Sequence, residues 1–278
     1  MNIYQYHNCY SMLEEVRSDL NEYNEKLCQG TETGVFDNSD IVRKINYAQR
    51  FIFNILFTRM PDLFLTSTAV TGSSGVFTIP SNIYRLSHIV DADGDRINPI
   101  SVKVKHLTDS TGSDYLYYRS GNTIVRDSGA SDSLTFHYYK IVKELTQGLS
   151  TGGSATSITL SRNAMGVLSY YNNVVIENIT DNWTDTITAY TAARVATIAT
   201  RSSAGKYYGT VSELPDAFHQ LVSRKATLLM KNSTVAGQRA DADEISTFRE
   251  ELVETIRAYC GTGDVNPSEL FYDFRPYM

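Results

Sequence analysis

The sequence lacks long apolar runs and has few cysteines, and both absences limit what the chain can be. No run of about 18 apolar residues occurs, so we expect no membrane-spanning helix. The first residues also lack the basic end and apolar stretch of a secretory signal. The three cysteines, Cys9, Cys28 and Cys260, do not have metal-ligand spacing. We therefore expect reduced thiols in a cytosolic compartment.

The charged residues show no excess that points to a polyanionic ligand. The formal net charge is −6, and the basic residues are dispersed along the chain. Gripping phosphates by charge is therefore not the main task, although DNA could slide past such a surface. Two groups of basic residues lie in helical patterns: Arg43, Lys44, Arg50 and Arg59, and Arg224, Lys225 and Lys231. We interpret them as solvated helix sides with acidic partners; the alternative is a subunit interface or a weak DNA-facing surface.

Short motifs for catalysis or nucleotide binding are also missing. The sequence has no His-Glu-x-x-His, no Gly-x-Ser-x-Gly and no glycine-rich phosphate loop. The histidines are scattered singly, and we expect surface or hydrogen-bonded side chains at His7, His88, His106, His137 and His219. The acidic segment at residues 91–95 has its glycine at the wrong position for an EF-hand, so it indicates a hairpin turn. We predict no enzyme, no cofactor and no metal site.

A helical pattern over residues 40–60 is the strongest feature that is present. Apolar residues recur there at three- and four-residue steps: Ile41, Ile45, Ala48, Ile52, Ile55 and Leu56. Ser39 or Asp40 can cap the start of this helix, and Pro61 prevents its continuation. Three phenylalanines widen the apolar surface beyond one stripe. We therefore expect the other helices to pack on this one and the β-rich segments to branch from its end.

The other segments predict an α+β fold. Similar helical patterns occur over residues 8–28, after residue 212 and over residues 241–260, which gives a helical bundle of about four helices. After Pro61 the pattern changes to strands and turns, and we expect a β-meander that ends with the strand 134–140.

The predicted domains follow from a shift in composition. Residues 148–209 are rich in Ser, Thr, Gly and β-branched residues, with apolar segments at roughly 8–12-residue spacing. This pattern predicts an inserted all-β module, sandwich- or barrel-like. The helical bundle with its meander then comprises residues 1–147 and 210–261, and residues 262–278 form an extended C-terminal tail.

This tail and the high tyrosine content indicate contact surfaces. The chain has 19 tyrosines and one tryptophan, and tyrosine suits surfaces that are partly wet. The tail is rich in aromatic residues, which would form a large exposed apolar patch if they were solvated. It either folds back on its own core or docks on another subunit. We predict that docking uses Phe271, Tyr272, Phe274, Arg275 and Tyr277.

The order of the segments resembles that of the head-to-tail adaptor, or connector, proteins of tailed bacteriophages, especially the short-tailed type. Residues 41–48, Ile-Val-Arg-Lys-Ile-Asn-Tyr-Ala, resemble the helix of that family with its Ile-Asn-x-Ala core. Residues 76–80, Val-Phe-Thr-Ile-Pro, and residues 84–90, Tyr-Arg-Leu-Ser-His-Ile-Val, resemble its aromatic-x-Leu/Ile-Pro segment and the Arg-Ile/Leu-x-x-Val segment that follows.

Further segments extend the resemblance along the chain. Residues 121–124 and 134–139 are similar to the family's meander, and Glu-Leu-Pro-Asp-Ala-Phe at 213–218 is similar to its return to the bundle. The likeness covers about residues 38–147 and 212–260. The module at 148–209 departs from the smaller members of the family.

The resemblance implies a structural virion protein without catalytic residues. It implies a ring of identical subunits, commonly twelve, which joins the portal protein to a tail or nozzle protein. DNA passes through the lumen during genome ejection without sequence-specific binding, and no membrane is involved. The expected location is the neck or tail region of the virion, after assembly in the host cytoplasm.

A second function stays open beside the adaptor. The module at 148–209 could make the chain a tail-associated receptor- or glycan-binding protein, with Trp183, Tyr190, Tyr170 and Tyr171 stacking on sugars. Exposed aromatic side chains around a groove would favour glycan binding, and buried ones favour the adaptor. A cell-wall hydrolase would need a convergent pair of acids, and no spacing in the sequence indicates one.

Overall fold

The computed structural model describes residues 8–80, 82–100, 116–126, 133–199, 204–233 and 240–260. The chain divides into two compact units. We call Arg59–Ile141 the sheet unit, and Met1–Thr58 together with Val142–Met278 the mixed unit. The sequence-based division at residues 147 and 209 stays a prediction.

The described residues contain five α-helices: α1 (Cys9–Asp19), α2 (Glu25–Gln29), α3 (Asn38–Arg59), α4 (His219–Lys231) and α5 (Ala242–Cys260). With the strands given below, they confirm a mixed α+β fold. Helix α1 packs on α4, and α4 packs on α5. The arrangement of four helices as a bundle stays a prediction. None of the described helices combines the length and the hydropathy that crossing a bilayer demands.

Helix α3 confirms the strongest helical pattern of the sequence. Ile41, Ile45 and Ile52 are completely buried, as the spacing of apolar residues predicts. The helix begins earlier than expected, because the carbonyl of Asp37 already accepts from the N–H groups of Asp40 and Ile41. Ser39 and Asp40 therefore lie in the first turn and do not cap it. The helix ends at Arg59, before a short 3-10 turn at Pro61–Phe64.

Residues 8–28 form two helices, so the prediction of one continuous helix is wrong. Between α1 and α2, Asn21 adopts a left-handed conformation with φ of 56°. Asn24 then caps α2, because its side chain accepts a hydrogen bond from the N–H of Lys26 at 3.0 Å. Buried Arg17 also donates to the Glu22 carboxylate, in the connection between the two helices, at 2.8 Å. Local capping and one buried cation therefore outweigh the helical spacing.

The sheet unit is built on seven strands of the described chain: β1 (Leu65–Thr71), β2 (Val76–Thr78), β3 (Ile83–Val90), β4 (Arg96–Pro99), β5 (Leu116–Ser120), β6 (Thr123–Arg126) and β7 (Ser133–Lys140). They form one nearly closed sheet in the order β1-β7-β3-β4-β5-β6-β2. All neighbours are antiparallel except β4 and β5. Its core includes Phe77, Ile89, Ile124, Leu134 and Phe136.

The pairing of β7 corrects the predicted meander. Strands β5 and β6 form a hairpin as expected, but β7 pairs with β1 and β3 and not with β6. Seven of the eight residues of β7 pair with β1, which is distant in sequence, so proximity along the chain does not decide its neighbours. The three-residue β2 pairs with β6 instead.

The segment 148–209 contributes most of eight short strands to the mixed unit: β8 (Gln147–Leu149), β9 (Gly152–Ser154), β10 (Ser157–Thr159), β11 (Val175–Asn178), β12 (Trp183–Thr186), β13 (Ala189–Tyr190), β14 (Val195–Thr197) and β15 (Tyr207–Thr210). One four-stranded sheet has the order β13-β14-β10-β9, and the other has the order β12-β11-β15-β8. We call these two sheets the β module. Helix α1 also contacts β15 and β8.

One predicted strand of the β module is broken. The sequence pattern over residues 186–190 predicts a continuous strand, but β12 ends at Thr186 and β13 begins at Ala189 in the other sheet. Between them Ile187 is fully buried in the core that the two sheets share. The sequence also predicts a turn at Trp183, just before that strand, but Trp183 is the first residue of β12. A short apolar segment can therefore carry the chain from one sheet to the next.

Candidate interaction surface

Two polar side chains on the buried side of α3 fix the chain that leads into the β module. The Asn46 side-chain amide donates to the carbonyl of Leu145 at 3.0 Å and accepts from its N–H at 2.7 Å. The Gln49 side chain donates to the carbonyl of Lys143 at 2.8 Å and accepts from the Ser212 hydroxyl at 2.7 Å. Buried amides paired in this way specify one arrangement of neighbouring segments. A polar Gln49 within an apolar helical stripe is the sequence signal for this contact, and the prediction from helical spacing alone missed it.

The outer side of α3 presents a row of large polar side chains. Arg43, Tyr47 and Arg50 recur at helical spacing, and Tyr47 is 53% exposed. Arg43 pairs with Asp40 at 2.6 Å, and Arg50 pairs with Glu144. These exposed ion pairs contribute little to stability. The two carboxylates are acidic partners of the kind that a solvated helix side was predicted to have.

A groove of about 410 Å³ runs beside this row. It is lined by α3 and by residues of the β module and its leading segment, including Val42, Tyr47, Leu145, Asn163 and Tyr171. Tyrosine and arginine are the residue types that contribute most at protein interfaces. The groove is therefore a candidate contact surface of the mixed unit.

The basic residues of α4 are engaged with α5. Arg224 pairs with Glu251, and Lys231 pairs with Glu244. The Lys225 ammonium lies 4.7 Å from the ring centroid of Phe51 and 5.5 Å from that of Phe248. Burial lowers the pKa of Lys225, and the charge of Arg249 lowers it further. This group of basic residues therefore joins helices.

The aromatic side chains of the β module are mostly buried in its core. Tyr171 is 1% exposed and Tyr190 is 2% exposed, and their rings meet edge to face with centroids 4.9 Å apart. The Tyr190 hydroxyl donates to the carbonyl of Met165 at 2.8 Å, and burial raises the pKa of Tyr190 to about 12. Partly buried Tyr170 and Trp183 pack against the same core. A sugar-stacking platform needs exposed ring faces, so Tyr171 and Tyr190 cannot serve as one in the glycan-binding alternative.

Two of the scattered histidines meet on adjacent strands. His88 on β3 pairs with His137 on β7, and their rings stack with centroids 4.3 Å apart and an interplanar angle of 6°. Burial lowers the pKa of His88, and the charges of His137 and Arg96 add to this effect. His219 is buried, with Nε2 2.8 Å from the carbonyl oxygen of Leu214. His7 and His106 lie outside the described residues.

The acidic segment 91–95 forms a turn, as predicted. The Asp91 carboxylate accepts from the N–H groups of Asp93 and Asp95 at 3.1 and 2.8 Å. These bonds to the backbone stabilise the turn. Arg126 lies 3.9 Å from the same carboxylate. Within the described part of the chain, no three metal-ligating side chains come together.

The cysteines are buried where the structure describes them. Cys9 and Cys28 are not paired with each other, and burial raises the pKa of both thiols, to about 11 for Cys28. A protonated thiol in an apolar environment is unreactive and behaves as a small apolar side chain. These two cysteines therefore contribute to packing.

The predicted docking residues belong to the tail. Phe271, Tyr272, Phe274, Arg275 and Tyr277 all lie in the tail, outside the described residues. Their role as partner contacts stays a prediction.

A comparison with protein families gives a match over part of the chain just described. The family model "SU10 adaptor protein" matches residues 8–162, which is more than half of the chain. The chain belongs to the SU10 adaptor protein family. The matched region runs from α1 through the whole sheet unit to β10 of the β module. A comparison with curated proteins gave no match.

Family membership confirms the resemblance to bacteriophage head-to-tail adaptors. The SU10 adaptor is a structural phage protein and does not belong to a known class of enzymes. The matched region includes the Ile-Asn-x-Ala segment, where Asn46 makes its contacts with Leu145. In this adaptor that segment therefore has a packing role.

Proposed function

We propose that this adaptor forms a homo-oligomeric ring that joins the portal to the tail and lets DNA pass through its lumen. The match to the SU10 adaptor family over residues 8–162 is the observation that carries this proposal. The ring commonly has twelve subunits in the proteins that the chain resembles. Assembly takes place in the host cytoplasm, and the assembled ring lies in the neck of the virion.

The composition of the chain supports this proposal. An acidic chain with net charge −6 suits the passage of DNA better than its retention, because like charges repel. The exposed row of Arg43, Tyr47 and Arg50 has the residue types of a protein interface. A ring needs two different faces on each subunit, since its contacts are heterologous.

The mass of the purified chain tests the ring. We expect a multiple of the subunit mass, 31.1 kDa, for the full chain alone or after it is mixed with the portal protein of the same virus. Native mass spectrometry measures this mass. A chain that stays monomeric in both samples, even at high protein concentration, contradicts the proposal.

We further propose that the C-terminal tail contacts the portal through Phe271, Tyr272, Phe274, Arg275 and Tyr277. Aromatic residues and arginine provide most of the energy of such contacts. A chain that lacks residues 264–278 should keep its circular dichroism spectrum and fail to bind the portal. A full-length chain with Phe271, Phe274 and Tyr277 changed to alanine is the matched control for the loss of chain length. Unchanged portal binding by both variants refutes this role of the tail.

A further inference from the structure

The two end strands of the sheet unit differ in how well their outer edges are protected. Strand β2 has three residues, with Phe77 buried at its centre, and Pro80 follows two residues after it. Strand β1 has seven residues, Leu-Thr-Ser-Thr-Ala-Val-Thr, with no charge and no proline. Short length, charge and proline are the features that prevent edge strands from pairing with other chains. Strand β2 has two of them and β1 has none.

The connection between the two end strands does not close the sheet. A tight turn at Ser74 and Gly75, both with positive φ, leads from β1 to β2. Ser73 and Val76 form a single bridge there, and then β2 turns away to pair with β6. Among the strands that the structure describes, β1 hydrogen-bonds to β7 alone. Within the described residues, the outer edge of β1 therefore has a row of backbone donors and acceptors with no strand opposite them.

Side-chain exposure shows that this edge is open on both faces of the strand. Leu65, Ser67 and Ala69 lie on the outer face and are exposed. Thr68 lies on the core face, since it pairs with buried Phe136 and its hydroxyl is 3.2 Å from that of Tyr138. Thr68 is nevertheless exposed. A core-facing side chain is reached by solvent only where no further strand covers it.

Exposed apolar residues lie at both ends of β1. Leu63, Leu65 and Val76 are 37%, 44% and 42% exposed, and they lie immediately before β1, at its start and just beyond its turn. Seven residues of strand span about 23 Å. An incoming strand would therefore gain backbone hydrogen bonds along the edge and apolar contacts at both ends.

We propose that the outer edge of β1 is a strand-pairing site, and that an extended segment from a second copy of this chain occupies it. This inference rests on the proposed ring. Two copies with net charge −6 repel each other overall. An uncharged edge lets identical acidic chains meet without placing like charges opposite each other. Addition of a strand to an open sheet edge gives affinity through the main chain, which suits a contact between identical subunits.

Amide hydrogen exchange on the full chain tests this directly. Exchange over residues 65–71 is compared between dilute, monomeric chain and the assembled oligomer. We expect at least tenfold slower exchange for the outer-edge amides of β1 in the oligomer, and unchanged exchange for the central strand β7. Equal exchange of β1 in both samples overturns the inference. That result does not affect the ring proposal, because the chain still forms the oligomer.

Two variants at one position supply the second test. Thr68→Lys places a charge on the core face of the open edge, which is a natural means of preventing strand pairing. Thr68→Val removes the same hydroxyl without adding a charge and is the matched control. Both should melt cooperatively as monomers. We expect that Thr68→Lys needs at least a tenfold higher protein concentration to reach half-assembly, and that Thr68→Val does not. Equal assembly of the two variants overturns the inference.

Two further outcomes separate this inference from the proposed function. If the unmodified chain forms no oligomer with or without the portal protein, the ring fails and the inference fails with it. If β1 becomes protected only when portal protein is added to an oligomer that already exists, the partner is the portal, and the assignment to a second copy is overturned.

Discussion

The β module and the sheet unit bury aromatic side chains in two different architectures. The strands of the β module have two to four residues and form two small sheets, whose shared core holds Tyr171, Tyr190 and Tyr208. The sheet unit has strands of up to eight residues in a single sheet, with Phe77 and Phe136 at its centre.

The two cores also differ in how their polar groups are paired. Inside the β module, the tyrosine hydroxyls hydrogen-bond to loop backbones, as the Tyr208 hydroxyl does with the N–H of Ser161 at 2.9 Å. This fixes short strands and their connections together. In the sheet unit, the hydroxyl of Tyr138 instead lies beside exposed Thr68 at the open edge. We therefore expect the β module to be rigid through its interior polar groups, and the sheet unit to be open to a partner at one edge.

The largest expected effect comes from removing one central ring from each core. Tyr171→Ala and Phe136→Ala should each lower the free energy of unfolding by about 3–5 kcal/mol, because a buried aromatic ring is lost and a cavity remains. Amide exchange should show lost protection in β10 and β11 for the first variant, and in β1 and β3 for the second. If either variant weakens both regions equally, the two cores unfold as one and the contrast between them fails.

Removing a single hydroxyl from each region should have a smaller and unequal effect. Tyr208→Phe leaves the N–H of Ser161 without its partner in the interior and should cost about 1–3 kcal/mol. Tyr138→Phe loses its bond to Asn82 at 2.9 Å, but water can replace the hydroxyl at the open edge, so the cost should be below about 1 kcal/mol. Urea denaturation measures both. A larger cost for Tyr138→Phe would show that the edge is not accessible to water.

Acidification should have the smallest effect, and it should act on the sheet unit and not on the β module. Because burial lowers the pKa of His88 below its ordinary value of 6.5, the unfolded chain binds more protons between the two pKa values. The sheet unit should therefore lose stability as the pH falls through that window. Exchange protection of β3 and β7 at about pH 7.5 and about pH 5.5 checks this.

His88→Gln is the matched variant for the pH experiment, since it retains a polar side chain and cannot take up the proton. It should reduce the loss of protection in β3 and β7. Residues 148–209 contain no histidine, so their protection serves as the internal control. Equal loss of protection in the β module would assign the effect to other groups and not to the stacked histidines.

Several features could be predicted from the sequence because they depend on local chemistry. The spacing of Ile41, Ile45 and Ile52 predicts the buried face of α3, and the acidic segment 91–95 predicts its turn. The family resemblance could also be recognised, since its segments follow one another along the chain.

Other features could not be predicted, because they depend on partners distant in sequence. Strand β7 pairs with β1, about seventy positions away, as in Leu65 opposite Tyr139. The Gln49 side chain hydrogen-bonds to the carbonyl of Lys143 and to the Ser212 hydroxyl, and the helical pattern indicates neither partner. Arg17 on α1 likewise donates to the carbonyl of Phe36, which lies beyond α2.

The sequence by itself determined the buried face of α3, the turn at residues 91–95 and the family that much of the chain resembles, because periodicity and turn chemistry act over a few residues. Only the tertiary structure decided that the aromatic residues of the β module are core residues, and that β1 is an edge while β7 is central. Burial and strand order depend on which distant segments meet, and that choice is made by packing across the whole unit.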